Sequence, residues 1–233
     1  MARRTIFLLL TMLLAFMAAS TAGAENAKST ACLGKPYSYA GLQSQTTAHG
    51  VAATLAPVNA PDVTDGHVGG WIGVGGTNSG PGGVAEWLQV GLSAFGPSRT
   101  TRMYYEVTTA GADPKYVELA AQVAPGEKHN FSVLEMAGKK SWWRVWVDSK
   151  PVSPPIYLAG SHGTWYPQAL AENWNGGTGT CNAYAYKFSN VQLAKTNGGV
   201  WQTLKHRSLF NDAGYQVTQT SRVPSNFVAA SLG

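Results

Sequence analysis

The stretch VAEWLQVGLSAF, Val84 to Phe95, alternates with period two between a Gly-Pro-Gly-Gly turn upstream and Phe-Gly-Pro-Ser downstream. Apolar and aromatic residues in β-rich alternation, bounded by such turns, read as a strand. Successive side chains of a strand point to opposite faces. Glu86, Leu88, Val90 and Leu92 therefore share one face, which is mostly greasy, and Trp87, Gln89, Gly91 and Ser93 share the other. The greasy face belongs in a core. The other places an amide, Gln89, beside an indole in mid-strand.

The same pattern recurs along the chain. Short runs with strand character, such as HGVAATLAP, GWIGVGG, RMYYEVTT, YVELAAQV, HNFSVLEM, SWWRVWVDS and GYQVTQTS, lie between turns rich in the chain's 27 glycines and 12 prolines. Many short strands with regular turn signals predict an all-β sandwich or barrel. Only WYPQALAENW could pass for a helix, and it is short. No repeat, linker or second domain is evident. We expect residues 25–233 to form a single β-sandwich domain.

The first 24 residues carry Arg3 and Arg4, an apolar run, and Ala22-Gly23-Ala24. This is the form of a secretory signal peptide cleaved after Ala24. The apolar run is short for a bilayer span and no other follows, so the mature chain is expected to be secreted, with no membrane span. Of the 17 basic residues, removing Arg3 and Arg4 leaves 15 against 12 acidic ones, a net of +3. These charges form no block, which argues against a nucleic-acid surface. Two cysteines, Cys32 and Cys181, are an even count in an exported protein and are expected to pair. The five histidines, at 49, 67, 129, 162 and 206, show no ligand spacing such as HxxxH, so no metal or cofactor is expected.

Two features bear on function. In SWWRVWVDS, Trp143, Val145 and Val147 form a core face, leaving Trp142 and Trp146 around Arg144 on the other. Large exposed aromatics mark partner surfaces, here an aromatic-lined groove for a sugar or an extended peptide. In WYPQALAENWNGG, Glu172 is the only acid in an apolar, aromatic and amide stretch; if extended, Tyr166, Gln168, Leu170, Glu172 and Trp174 share a face. Burial among such neighbours penalises an ionised carboxyl, and a carboxyl so tuned can serve as acid or base. No Gly-x-Ser-x-Gly occurs, and no compact acidic strand pairs carboxylates as a sandwich glycosidase would.

Several segments, in order, resemble the glutamic peptidases, or eqolisins: WIGVGG (Trp71–Gly76), LQVG (Leu88–Gly91), MYYEV (Met103–Val107), VAPGEKHNFSV (Val123–Val133), LAENW (Leu170–Trp174) and FSNVQL (Phe188–Leu193). The ending GYQVTQTSRVPSNFVAAS is similar to that of bacterial members. The resemblance implies a concanavalin A-like β-sandwich of two bent antiparallel sheets. It implies a catalytic pair of Gln89 and Glu172 across the concave sheet, with Trp71, Trp87, Trp142 and Trp146 as candidate groove wall. It implies a secreted acid endopeptidase that needs no cofactor and acts on polypeptide. Val90 stands where the family has threonine, and Asn173 separates Glu172 from Trp174. Two other readings of the same residues are a non-catalytic sandwich that binds polysaccharide or peptide on a Trp-rich concave face, and a β-sandwich glycosidase.

Overall fold

The computed structural model describes residues 35–179, 181–223 and 225–231, with the side chains of all but Ala120 and Ala121. The predicted signal segment, residues 1–24, and Cys32 lie outside the described residues; Cys181 is half-buried against the core.

In chain order the strands are β1 (Tyr37–Ser44), β2 (Gly50–Pro57), β3 (His67–Gly76), β4 (Glu86–Phe95), β5 (Thr101–Thr108), β6 (Lys115–Val123), β7 (His129–Glu135) and β8 (Trp142–Val147). There follow β9 (Lys150–Pro151), β10 (Ile156–Tyr157), β11 (Gln168–Trp174), β12 (Ala185–Ala194), β13 (Trp201–Thr203), β14 (Arg207–Asn211), β15 (Tyr215–Gln219) and β16 (Phe227–Ser231). A single 3-10 turn, Pro81–Gly83, is the helical exception among the described residues. None of the helices there is long and apolar enough to cross a membrane.

The strands form two antiparallel sheets, as the alternating pattern predicts. The first has seven strands in the order β14-β1-β11-β3-β4-β5-β6; the second has nine, β10-β8-β7-β2-β12-β16-β15, with β13 beside β12 and β9 beside β8. The stretch read as a possible helix is β11, inserted between β1 and β3.

The core lies between the sheets. Val90, Leu88 and Leu92 of β4, Ile72 of β3 and Ala171 of β11 pack there with Phe131, Trp143, Val145, Tyr186 and Phe188 of the second sheet. Sliding β4 by one residue would expose Leu88, Val90 and Leu92 and bury Trp87 and Gln89 instead. Each apolar side chain so exposed loses roughly 1.5–3 kcal/mol of burial, which holds the register and keeps Gln89 on the outer face. Gly70 on the core face of β3 lets the sheets approach, since a Cβ there would lie 2.6 Å from the Tyr186 ring. Glu86 is the one acid on the greasy face of β4. It is 1% exposed, and its carboxylate accepts the N–H groups of Ala159 at 2.8 Å and Gly160 at 2.7 Å.

Both family departures sit on the core side. Val90 is fully buried, and Asn173 is buried with its Oδ1 accepting from Asn182 Nδ2 at 2.9 Å. The strand pleat turns them away from Gln89 and Glu172.

Candidate active site

The outer face of the first sheet is assembled by cross-strand register. Directly opposed residues of an antiparallel pair project to the same side. Glu172 of β11 faces Gly69 of β3, and Gly69 faces Ser93 of β4. Gln89 faces Gly73 on one side and Glu106 on the other, and Gly91 lies between Trp71 and Tyr104. Tyr39 of β1 lies opposite Glu172. One face therefore carries Tyr39, Glu172, His67, Trp71, Gln89, Tyr104 and Glu106. Trp71, Tyr104 and Leu170 form a small buried cluster of their own, with Tyr39 and Tyr116 packed on it.

Gln89 and Glu172 are separated by the whole of β3 and staggered along it, since their β3 partners are Gly73 and Gly69. Side chains close the gap. The Gln89 amide donates to the Tyr104 hydroxyl at 3.0 Å. A Cβ built on Gly69 would lie 3.5 Å from that hydroxyl and 3.7 Å from Cδ1 of Trp71. Trp71 Nε1 donates to Glu172 Oε2 at 3.1 Å, and His67 Nε2 lies 3.0 Å from Glu172 Oε1. The space left by the missing side chain of Gly69 is thus bordered by Tyr104 and Trp71, with Glu172 on the neighbouring strand and the Gln89 amide joined to it through the Tyr104 hydroxyl.

The carboxylate of Glu172 does not lie naked among apolar groups, as its sequence surroundings suggest. An indole N–H donates to one of its oxygens and an imidazole nitrogen lies against the other. The Tyr104 hydroxyl is fully buried. Desolvation, then the charges of Glu172 and Glu106, push its pKa well up, with the Gln89 contact opposing, so it stays a neutral hydroxyl. Burial also raises Glu106; the indole of Trp87, donating at 3.1 Å, opposes this and the charge of Glu172 adds to it.

Of the residues singled out from sequence, Gln89, Glu172, Trp71 and Trp87 come together here. Trp71 is a floor residue and a donor, 6% exposed, rather than a wall. Trp142 and Trp146 do not belong to this face, which corrects their assignment to the same groove. They lie on β8, in the second sheet, opposite in alternation to the buried Trp143 and Val145. Trp142 packs on Tyr157 with ring centroids 5.4 Å apart. Trp146 lines a separate hollow of about 460 Å³ with Trp201, Asn130 and Gln192. Alternation tells which side of a strand a residue takes, but not which sheet the strand joins.

Sequence reading missed His67 and Tyr104 as site residues. The signal was present: His67, Gly69, Trp71 and Gly73 alternate along β3, and Tyr104 and Glu106 alternate within MYYEV. Only the pairing of β3, β4 and β5 turns those alternations into one site.

No family model matches the sequence, and no curated protein matches it. Solved structures do. Scytalido-glutamic peptidase bound to a peptide-based transition-state analogue superposes with a TM-score of 0.55 at 15% identity, over 85% of this chain and 98% of that one. Its complex with a transition-state analogue inhibitor gives 0.55 at 14% identity with the same coverage. SCP-B, a member of the eqolisin family bound to the tripeptide Ala-Ile-His, gives 0.53 at 17% identity, again over 85% and 98%. The fold is eqolisin-like, a concanavalin A-like sandwich.

Proposed function

We propose that this chain is an exported endopeptidase of the glutamic type, hydrolysing peptide bonds with Glu172 and Gln89. The observation that carries this reading is that the Glu172 carboxylate and the Gln89 amide lie on one sheet face, each hydrogen-bonded to a residue, Trp71 and Tyr104, that borders the space above Gly69. The eqolisin-like fold supports it.

The chemistry follows from the groups present. A water held by the Glu172 carboxylate loses a proton to it as its oxygen attacks the carbonyl carbon. The carbonyl π pair moves to oxygen, giving a tetrahedral oxyanion. The Gln89 amide nitrogen carries two N–H groups. One is fixed on the Tyr104 hydroxyl and the other is left to donate to that oxyanion, a contact typically worth ~3–4 kcal/mol of barrier. As the C–N bond breaks, Glu172 returns its proton to the leaving amine. His67 and Trp71 hold the carboxylate in place throughout. Trp87, Tyr37 and Tyr39 offer apolar and stacking surface along the same face for an extended chain. No step requires a cofactor.

Export by way of residues 1–24, a single domain over 25–233, and a Cys32–Cys181 bridge complete the reading; all three rest on the sequence. The experiment is digestion of a denatured protein by the purified mature chain across acidic to neutral pH. The reading requires cleavage that Glu172→Gln removes and Gln89→Ala slows by orders of magnitude. No cleavage at any pH, with retained binding to a polysaccharide, would instead make the face a non-catalytic binding surface. Release of reducing sugar that depends on another carboxylate pair would make the chain a glycosidase.

A further inference from the structure

A second constellation lies away from the Gln89–Glu172 face. His49 immediately precedes β2, Glu135 ends β7, and His162 sits in the loop between β10 and β11. Glu135 has a fully buried side chain, while those of His49 and His162 are 23% and 37% exposed. Both carboxylate oxygens of Glu135 are aimed at ring nitrogens: Oε2 lies 2.6 Å from Nδ1 of His49, and Oε1 lies 2.8 Å from Nδ1 of His162. The three potential ligand atoms lie within 4.8 Å of one another.

The surroundings hold this arrangement. The Ser141 N–H donates to Glu135 Oε1 at 2.6 Å. The Glu135 N–H donates to the His49 carbonyl at 2.8 Å, tying the two ligand-bearing segments together. His162 takes a left-handed backbone, φ 76°, which a side chain other than glycine adopts only when its surroundings enforce it. Gly163 packs so closely on His49 that a Cβ there would lie 2.5 Å from the ring. The loop is pinned underneath by Trp143 Nε1, which donates to Ser161 Oγ at 2.7 Å.

We propose that His49, Glu135 and His162 form a site for a divalent transition-metal ion, of which Zn²⁺ is the best match. Two imidazole nitrogens and one carboxylate oxygen suit zinc and its neighbours, whereas magnesium and calcium prefer all-oxygen shells. Three protein ligands leave a fourth position for water, and the part-exposed imidazoles provide the approach from solvent. Each ring would carry its proton on Nε2 and turn the Nδ1 lone pair to the ion. At metal–ligand bonds of about 2.0–2.1 Å, tetrahedral ligand atoms stand roughly 3.3 Å apart. The two nitrogen–carboxylate separations, 2.6 and 2.8 Å, would widen by roughly 0.5–0.7 Å to take the ion. The Ser141 N–H then serves as the outer contact that orients the carboxylate. Such an ion would join β2, β7 and the loop that leads into β11, the strand of Glu172, without touching the site on the first sheet.

The test uses the purified mature chain after chelator treatment, titrated with Co²⁺ and then with Zn²⁺. The expected result is the visible absorption of four-coordinate Co²⁺ saturating at one equivalent, displacement of that signal by Zn²⁺, and a raised melting temperature with Zn²⁺. His162→Gln, on the exposed loop, and His49→Ala should each weaken Co²⁺ binding by at least about tenfold. Circular dichroism of the metal-free variants establishes that they fold. Equal binding by wild type and a folded His162→Gln, through His67, His129 or His206, overturns the site and leaves an adventitious ion only. Absence of a Co²⁺ spectrum with an unchanged melting temperature overturns it as well, leaving a hydrogen-bonded hub.

Discussion

The Gln89 amide donates to the Tyr104 hydroxyl at 3.0 Å, across the β4–β5 pair and over the gap above Gly69. That contact orients the amide and occupies one of its two N–H groups. Tyr104→Phe keeps the ring that stacks on Tyr116 at 5.0 Å and removes only the hydroxyl. It leaves a buried amide without its partner, a cost of about 1–3 kcal/mol. We expect kcat on a peptide substrate to fall by roughly 10–100-fold with a smaller change in KM. A loss confined to KM would assign Tyr104 to substrate binding instead.

Gly69 is the floor of the proposed water and carbonyl site. A methyl group there meets the Leu92 carbonyl at 3.3 Å, a tight but tolerable approach. A larger branched side chain fills the space before Tyr104 and Trp71. Gly69→Val should abolish cleavage with the circular dichroism spectrum retained, while Gly69→Ala should keep a measurable fraction. Full activity in a folded Gly69→Val variant would place the reaction elsewhere.

His67 is a positioning residue, acting on substrate only through the Glu172 carboxylate at 3.0 Å. Hydrogen bonds to charged groups contribute about 1.5–3 kcal/mol. His67→Ala should lower kcat by roughly 10–100-fold, and His67→Gln, which restores a donor, should recover part of it. Equal loss in both variants would point to the imidazole's own proton chemistry.

Glu106 makes a prediction for stability against pH. Burial, opposed by the Trp87 indole and aided by the charge of Glu172, raises its pKa above the ordinary 4.5. The folded chain then holds this proton more tightly than the unfolded chain. Its contribution to stability is complete below the unfolded value and declines as pH rises through the raised folded one. Glu106→Gln removes that titration. The melting temperature of the variant relative to wild type should climb as pH is taken from about 3 to 7. A flat or falling difference would contradict the assignment.

Much of this architecture is legible in sequence because period-two alternation reports burial directly. Val84–Phe95 and Ser141–Ser149 each alternate between a core face and an outer one, as Leu88, Val90, Trp143 and Val145 confirm by their burial. Gln89 and Glu172 stand out as polar groups among apolar neighbours, and the order of short motifs brings them together. Tyr104 and His67 did not stand out, because a tyrosine in a strand and an isolated histidine are ordinary until the register is known. For the same reason nothing in the alternation of Trp142 and Trp146 tells that β8 joins the second sheet. The convergence of His49, Glu135 and His162 spans three distant segments and leaves no spacing to read.

If Glu172 and Gln89 perform one reaction, single-turnover cleavage of a fluorogenic peptide by wild type, Glu172→Gln, Gln89→Ala and the double variant will show it. We predict that Glu172→Gln abolishes the chemical step and that Gln89→Ala slows it by about 10²–10³-fold. The double variant should be no slower than Glu172→Gln alone, because the two groups act as a unit. Cleavage at the wild-type rate by a folded Glu172→Gln chain would contradict the account.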